Sequence, residues 1–418
     1  MISFVLFALS SLTAGAAPIT DCFGRTLNES SRLAPALDQP KGCAGPSIAT
    51  IPASFSFAPY KAVATSSWAD AVAIGDINGD RKLDAVLSTT FYFDADADYK
   101  AFIFPQQANG LLGAPTKLSY GQTANRNGIA VSQLDGAFGL DIAIGGAQGV
   151  SVLYSNGLGG FRSPIIVGSR QANLLATSTF AFNQPKEAPS IIISVGWSNE
   201  GEYMFPISPL GSYSVSPWAP AAQGYNGIAA GDLDGDTLLD IAVSSGQGVG
   251  QNLSWYKNTG KKLLQLGALN ANCDVSFSSA NAVAFGNINA DKYKDLIVVG
   301  GGNRPTSCVL LFAGNANGFG APTRLASYDI PDAVVVKDVD RNGLDDIVVT
   351  HGGWGSLGVY LQQTPGNIDA ERLFPIPYAS HYNPQGLAIG DVSGDGCPDA
   401  VIADYNNGLV TLNGQGCQ

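Results

Sequence analysis

Acidic and amide side chains recur at alternate positions of short loops in this chain. The clearest copy reads DINGDRKLD and places Asp76, Asn78, Asp80 and Asp84 at loop positions 1, 3, 5 and 9. Short side chains that offer oxygen atoms, brought together by a tight turn, suit a hard cation, and a flexible all-oxygen shell suits Ca²⁺ better than Mg²⁺. The spacing therefore predicts a calcium site in this loop.

Four further loops repeat this spacing, so the sequence predicts about five Ca²⁺ ions. Their candidate ligands at positions 1, 3, 5 and 9 are Asp232, Asp234, Asp236 and Asp240; Asn287, Asn289, Asp291 and Asp295; Asp338, Asp340, Asn342 and Asp346; Asp391, Ser393, Asp395 and Asp399. Ordinary hairpin turns initiated by Asp and Asn are the alternative and need no ion. The formal net charge of -12 favours bound cations, because clustered carboxylates repel one another without a counter-charge.

Position 2 of these loops is aliphatic in every copy, and we expect this side chain to turn into the core while its neighbours face the ion. A weaker copy, QLDGAFGLD, keeps Asp135 and Asp141 but has Gln133 and Ala137 at the other ligand positions. We expect no ion in that loop.

Each loop joins two apolar strands, as in AVAIGDINGDRKLDAVLST, and the first loop residues lie 51 to 57 residues apart except for one interval of 99. The long interval contains residues 180–194, which we interpret as a degenerate seventh unit without acids. A third and a fourth strand follow in each unit, and four antiparallel strands are typical of a propeller blade. The last unit lacks a fourth strand. The segment FSFAPYKAVAT, which comes before the first loop, resembles the fourth strands of the other units. The sequence predicts an all-β fold, a seven-bladed β-propeller over residues 51–418, whose ring is closed by the N-terminal strand.

At these repeats the sequence resembles the FG-GAP and VCBS repeats of integrin α-subunit propellers, some fungal lectins and many bacterial extracellular proteins. The resemblance covers residues 52–418 by the strand pattern. It implies a calcium-stabilised propeller in which loop position 7 adds a backbone carbonyl to the ion. It does not identify a ligand.

The first 17 residues, an apolar stretch followed by AGAA, are typical of a secretory signal peptide. A membrane anchor is the alternative, although the stretch is shorter than a spanning helix, and no later segment is long and apolar enough to span. Residues 18–50 form an N-terminal extension without a repeat. We expect a secreted, extracellular protein, or a periplasmic one if the source is bacterial.

Six cysteines in an exported chain are consistent with three disulfides. Strand alternation puts Cys397 and Cys417 on the face that carries the metal loops, and Cys273 and Cys308 near the other face. These assignments predict the pairs Cys397–Cys417 and Cys273–Cys308. Cys22 and Cys43 would then form the third disulfide, within the N-terminal extension.

The loops before the first strand and after the second strand of each unit open on the face opposite the metal loops, which we call the recognition face. Aromatic and histidine side chains beside Asn and Asp suit a sugar, whose apolar face stacks on a ring. The candidates are Trp68, Trp197, Tyr225, His351, Trp354, His381, Tyr382 and Tyr405. Rings that pack loops onto blade edges, and histidines that are solvated or hydrogen-bonded, are the alternative.

No GxSxG, HExxH, paired CxxC or P-loop motif is present, and no basic stripe suggests nucleic acid. We therefore expect a monomeric binding or adhesion protein, without enzymatic activity, that recognises a glycan or an extracellular protein. An extracellular propeller enzyme acting on polysaccharide, a lyase or a hydrolase, is the alternative. A structural adhesion module is a third possibility.

Overall fold

The computed structural model describes residues 55–90, 99–123, 127–135, 139–169, 171–180, 188–194, 202–206, 216–219, 225–245, 251–260, 262–273, 280–352, 355–377 and 383–417. They belong to one compact unit, Ser54–Gln418. The regular elements among them are all strands. No helix in the described residues is long and apolar enough to cross a membrane.

Within the described residues, four-stranded antiparallel sheets follow one another along the chain, and we number these blades 1 to 7 by repeat unit. The strands are Trp68–Gly75, Asp84–Thr90, Lys100–Phe104 and Thr116–Ser119 in blade 1; Ile129–Ser132, Asp141–Gly146, Gly149–Leu153 and Ile165–Val167 in blade 2; Leu174–Phe180, Ala188–Ser194, Glu202–Pro206 and Ser216–Ala219 in blade 3; Tyr225–Gly231, Asp240–Ser245, Leu253–Asn258 and Leu263–Leu269 in blade 4; Ala280–Gly286, Asp295–Gly300, Cys308–Phe312 and Thr323–Ala326 in blade 5; Pro331–Lys337, Asp346–His351, Ser356–Tyr360 and Arg372–Pro375 in blade 6; Leu387–Gly390, Asp399–Asp404 and Gly408–Leu412 in blade 7, with Lys61–Val63. The predicted all-β propeller of four-stranded antiparallel blades is confirmed.

The fourth strand of blade 7 comes from the other end of the chain. Lys61–Val63 pairs with Gly408–Leu412, so that Lys61 lies opposite Thr411. Ser56–Phe57 pairs with Gly414–Gln415 nearby, and the N–H of Ala58 donates to the carbonyl of Asn413 at 2.8 Å. Residues from both ends of the described chain thus complete one sheet.

Two smaller ribbons extend the connections between third and fourth strands, formed by Gly314–Asn315 with Gly318–Phe319 and by Gln362–Thr364 with Asn367–Ile368. These connections lie on the same face as the Asp-rich loops. The N–H of Gly366 donates to the carbonyl of Ile288, in the loop of blade 5, at 2.9 Å. Gln106 Nε2 of blade 1 similarly donates to the carbonyl of Asp391, in the loop of blade 7, at 3.2 Å. A hairpin of one blade therefore covers the Asp-rich loop of the blade before it.

The second strands of blades 1, 2 and 4 to 7 are buried along their whole length because neighbouring blades cover both of their faces. All seven residues of Asp84–Thr90 are buried. Val72 and Leu87 of blade 1 share an apolar cluster with Val392 and Val401 of blade 7. Such clusters, which remove apolar surface from water, hold consecutive blades together.

Glycines at the ends of first strands allow adjacent blades to approach closely. A Cβ atom on Gly286 would lie 2.2 Å from Cγ1 of Val336 in blade 6, and one on Gly390 would lie 2.4 Å from Cδ1 of Ile74 in blade 1. Each glycine directly precedes the first residue of an Asp-rich loop. The loops are therefore placed beside the contact between two blades.

Candidate metal-binding loops and the recognition face

The aspartate at loop position 9 is a buried link between its loop and its own blade. Oδ2 of Asp84 accepts the N–H of Ile77 at 3.1 Å, and Oδ1 accepts the N–H of Gln106, beyond the third strand, at 2.8 Å. Asp141, Asp240, Asp295, Asp346 and Asp399 each repeat this pair of bonds with the second or third loop residue and with the residue that ends or follows the third strand. Asp141 does so in the loop that has lost other acids. Position 9 therefore has a structural role that needs no ion.

Burial raises the pKa of these position-9 carboxyl groups above the ordinary range. Desolvation raises the pKa of Asp346 to about 7, although backbone hydrogen bonds from Gln362 and Val339 lower it. The pKa of Asp240 and that of Asp399 are each raised to about 6 by the same cause. A cation beside the group would favour the ionised form.

Position 1 provides the clearest fit to a cation. Oδ1 of Asp76, Oδ1 of Asn287 and Oδ1 of Asp338 are buried and have no hydrogen-bond partner. The other oxygen of Asp76 accepts the N–H of Arg81, and that of Asp338 accepts the N–H of Gly343. A buried oxygen without a donor is costly, and a metal ion is one group that satisfies it.

The turn brings the other ligand positions close to position 1. In blade 6, carboxylate oxygens of Asp338, Asp340 and Asp346 lie within 4.8 Å of one another. Oδ1 of Asp340 accepts the N–H of Asn342, whose own Oδ1 accepts the N–H of Leu344 at 2.8 Å. Left-handed backbone at loop positions 4 and 6 curls the chain around these oxygens, at Gly79, Arg81, Gly235, Thr237, Ala290, Arg341, Gly343, Gly394 and Gly396. The donor set fits a hard cation such as Ca²⁺.

The loops of blades 4 and 7 close differently at position 1. Oδ1 of Asp232 accepts the N–H groups of Gly235 and Asp236, and Oδ2 accepts that of Thr237. Asp391 makes the corresponding bonds to residues 394, 395 and 396. Oxygens of Asp232, Asp234 and Asp240 nevertheless lie within 4.8 Å of one another, as in blade 6.

The predicted core side chains at position 2 are buried in the contacts between blades. Ile77, Ile288, Val339 and Val392 are at most 3% exposed. Leu233 is half-buried and packs against the cluster between blades 4 and 5. This prediction from the loop pattern is confirmed.

Basic side chains that sequence reasoning missed reach two loops. Lys257 Nζ contacts Asp234 and lies 3.2 Å from Oδ2 of Asp236. Hydrogen bonds to Asp234 and Asp236 raise the pKa of Lys257. In blade 2, Arg162 Nη1 lies 3.3 Å from Oδ2 of Asp135. Aligning the third strands of the repeats by register is the signal that finds Lys257 in the sequence.

On the recognition face, Trp68 and Tyr405 are in contact. Trp68 begins the first strand of blade 1, and Tyr405 follows the second strand of blade 7. The half-buried rings meet edge to face with centroids 4.9 Å apart. Asp404 shapes the turn beside them, since its Oδ1 accepts the N–H groups of Asn406 and Asn407 at 3.0 Å. Two of the predicted ligand-binding side chains thus form one patch.

The sequence predicts that His351 is exposed on a loop. The structure buries it at the end of a strand. The second strand of blade 6 extends to His351, whose side chain is 0% exposed. Its Nε2 lies 2.8 Å from Oε1 of Glu371 and its Nδ1 lies 3.1 Å from the carbonyl of Asp329, while Tyr328 packs edge to face against the ring. The side chain of His351 is therefore enclosed and hydrogen-bonded, which fits the alternative of a hydrogen-bonded histidine.

The remaining aromatic and histidine candidates lie outside what the structure describes. Trp197, Trp354, His381 and Tyr382 fall outside the described residues, and only the backbone of Tyr225 is described.

Two polar side chains just before the first strand of blade 7 make hydrogen bonds to other blades. Gln385, just before the first strand of blade 7, exchanges two hydrogen bonds with Leu175 of blade 3, with Nε2 donating at 2.6 Å and Oε1 accepting at 2.9 Å. Asn383 Nδ2 donates to the carbonyl of Asn127 at 2.8 Å. These bonds join blade 7 to residues of blades 2 and 3.

Both predicted disulfides within the described residues are confirmed. Cys273 pairs with Cys308, and Cys397 pairs with Cys417. The second pair joins position 7 of the blade 7 loop to the end of the described chain. Cys22 and Cys43 lie outside the described residues.

Comparison with known proteins supports the repeat assignment. Residues 338–402, which begin at position 1 of the blade 6 loop, match the model of the FG-GAP-like repeat. No curated protein matches the sequence significantly. The match lies where the unpaired oxygen of Asp338 and the close acidic side chains coincide.

Solved structures share the fold at low identity. A lectin of Agrocybe aegerita that recognises non-reducing terminal N-acetylglucosamine is 13% identical, with a TM-score of 0.54 over 82% of this chain and 87% of that chain. BBS1N, solved in complex with ARL6DN, is 14% identical, with a TM-score of 0.54 over 86% of this chain and 96% of that chain. At these identities the likeness concerns the fold alone. The matched repeat and the propeller-like sheets support an FG-GAP repeat assignment that rests on residues 338–402.

Proposed function

We propose that this chain is a secreted, calcium-stabilised binding protein that recognises a glycan through its recognition face. The observation that carries the proposal is the contact between Trp68 and Tyr405, whose half-buried rings lie 4.9 Å apart on the face opposite the Asp-rich loops. A pair of fixed aromatic rings beside Asn406 offers a stacking surface and polar partners to a sugar. The fold shared with an N-acetylglucosamine-binding lectin supports a glycan as the ligand class.

Calcium would be held by loop oxygens that otherwise lack partners. Asp76, Asn287 and Asp338 each have a buried Oδ1 atom that accepts no hydrogen bond. Loop positions 3 and 5 add further carboxylate and amide oxygens. The ion would supply charge compensation and a fixed turn. Each loop buries its position-2 side chain between two blades and is covered by the hairpin of the next blade. A loop that an ion holds rigid would therefore stabilise the contact between those blades.

We further propose that the seven blades form one closed ring. The pairing of Lys61–Val63 with Gly408–Leu412 supports this proposal, as does the packing of Gly390 of blade 7 against Ile74 of blade 1. The N–H of Val72 also donates to the carbonyl of Gln385 at 2.9 Å. A ring of this kind leaves no unpaired strand at the join between its first and last units.

Secretion is supported by the signal-like first 17 residues and by two disulfides among the described residues. Disulfides persist in oxidising compartments and are rare in the cytosol. An extracellular location also provides the calcium concentration that moderate-affinity loops require.

A glycan array tests the proposal directly. We expect the full chain to bind a restricted set of glycans, and Trp68→Ala and Tyr405→Ala each to lower that binding at least tenfold. Tyr60→Ala is the matched control, because Tyr60 is 42% exposed and lies before the strand Lys61–Val63, away from the aromatic patch. Equal losses in all three variants, or binding unaffected by Trp68→Ala and Tyr405→Ala, would contradict the assignment of this patch. Binding to an extracellular protein but to no glycan would instead assign the patch to a protein partner.

A further inference from the structure

Two of the six Asp-rich loops receive a basic side chain from their own blade. Lys257 Nζ contacts Asp234 and lies 3.2 Å from Oδ2 of Asp236, and Arg162 Nη1 lies 3.3 Å from Oδ2 of Asp135. Across the described part of the chain, no other ion pair reaches a ligand position of these loops. In these two loops a basic side chain is therefore paired with an acid at a ligand position.

The position of Lys257 is defined by a hydrogen bond that recurs in every blade with an Asp-rich loop. Lys257 directly precedes Asn258, whose N–H donates to Oδ1 of the position-9 aspartate, Asp240. The residues that occupy the same place in the other blades are Pro105, Tyr154, Ala313, Leu361 and Asn413. None of them is basic. Blade 4 alone therefore carries a cation at this point of the fold.

Arg162 occupies a different recurrent position. Its N–H donates to the carbonyl of Tyr154 at 2.9 Å, and the residues that make the corresponding bond in other blades are Gly113, Gly320, Asp369 and Ala58. Only Arg162 is basic. In the same loop, Gln133 Nε2 donates at 2.7 Å to the carbonyl of Gly139, which is loop position 7. Blade 2 thus directs two side-chain donors at groups that would otherwise face an ion.

Distances among acids do not separate blade 4 from blade 6, because both triads lie within 4.8 Å. The presence of Lys257 beside the acids distinguishes the loop of blade 4 from that of blade 6. Its ammonium group donates to two of the four candidate ligands, and a divalent ion that bound there would have to displace it or lie beside a like charge.

We propose that Lys257 is a tethered cation that takes the place of calcium in the blade 4 loop, so the chain has four calcium sites rather than five. This inference rests on the calcium binding proposed above. The four sites are the loops that begin at Asp76, Asn287, Asp338 and Asp391, in blades 1, 5, 6 and 7. The ring then divides into an arc of blades 5, 6, 7 and 1 that depends on calcium and an arc of blades 2 to 4 that does not.

Calcium stoichiometry of the chelator-stripped full chain, measured by isothermal titration calorimetry, tests this proposal. We expect four ions in the wild type, four in Asp234→Ala and five in Lys257→Met, whose side chain keeps the length of lysine without its charge. Lys262→Met, in the same blade but outside the loop, is the matched control and should bind four. A wild type that binds five ions, a loss of one ion in Asp234→Ala, or an unchanged count in Lys257→Met would overturn the proposal.

Hydrogen exchange gives a second readout that does not depend on any variant folding. Chelation should increase amide exchange in the loops of blades 1, 5, 6 and 7 and leave residues 133–135, 139–141 and 232–240 unchanged. Increased exchange in 232–240 to the same extent as in 338–346 would overturn the proposal.

The two proposals fail in different ways. If the wild type binds no calcium, the calcium part of the proposed function fails. Lys257→Met should even then melt about 1–2 °C below Lys262→Met in chelator, because Asp234 and Asp236 lose their counter-charge. Identical melting temperatures for the two variants in chelator would also contradict the proposal that Lys257 acts as a tethered cation.

Discussion

Asp141 and Ser155 keep a hydrogen bond that every Asp-rich loop of this fold contains, although the loop around Asp141 has lost acids at two positions. Oδ1 of Asp141 accepts the N–H of Ser155 at 2.8 Å, while Oδ2 accepts the N–H of Leu134 at 2.7 Å. The ninth residue of the loop is therefore retained where an ion is not expected. It joins the loop to the third strand of its own blade.

Replacing this aspartate tests its structural role. Asp141→Asn should lower the free energy of unfolding by about 2–3 kcal/mol, because the amide nitrogen would face an N–H donor in a fully buried site. Chemical denaturation with calcium and with chelator should give the same loss. A loss that appears only in calcium would show that Asp141 acts through an ion.

Position 1 should behave in the opposite way. Asp338→Asn should weaken the proposed calcium site of blade 6 and lower the melting temperature in calcium but not in chelator, because the position-1 oxygen that is proposed to bind the ion loses its negative charge. Asp369→Asn is the control, since Asp369 lies outside the loop and bonds Gln363 at the surface. Equal melting temperatures of Asp338→Asn and wild type in calcium would argue against a site in blade 6.

The pH dependence of stability follows from the buried carboxyl groups. Burial raises the pKa of Asp346 to about 7 and that of Asp240 and Asp399 to about 6 in the folded chain without metal. A raised folded pKa contributes stability that is fully present below the unfolded value near 4 and is lost as pH rises through the folded value. In chelator, these groups should therefore make the chain less stable at pH 7.5 than at pH 5.

Calcium should oppose this loss at Asp346 and Asp399, whose loops are proposed to bind it, because it favours the ionised carboxylates and releases protons when it binds. The stabilisation by calcium, measured as the difference in melting temperature with and without chelator, should grow between pH 5 and pH 7.5. A difference that shrinks over this range would contradict the coupling of these carboxyl groups to the ion.

The buried pair of His351 and Glu371 should affect stability rather than recognition. His351→Ala should lower the free energy of unfolding by about 2–3 kcal/mol, because it leaves Oε1 of Glu371 without its 2.8 Å partner. Glycan binding by the folded variant should equal that of the wild type. Unchanged stability combined with lost binding would restore His351 to the recognition face as a ligand contact.

Local patterns in the sequence were sufficient for features that depend on one unit. The alternation of acids predicted the loops, the aliphatic second position predicted Ile288 and Val339 as core residues, and strand alternation predicted the pair Cys397–Cys417. These features follow from strand period and turn geometry, which the sequence carries directly.

Features that depend on contacts between separate strands or blades could not be predicted in the same way. The repeat pattern predicts a loop at His351, but the strand extends to this residue, and its partner Glu371 lies just before the fourth strand of the blade. The contact of Trp68 with Tyr405 joins blades at opposite ends of the chain. Lys257 becomes visible only when third strands are aligned by their hydrogen bonds.

The central claim is that calcium stabilises this propeller, and a thermal melt of the full chain with calcium and with chelator, combined with elemental analysis, tests it most directly. The account predicts bound calcium and a higher melting temperature in its presence, equivalent to about 2.7 kcal/mol for each site when calcium is at 100 times its dissociation constant. An identical melting temperature in both conditions, with no metal found by elemental analysis, would contradict it.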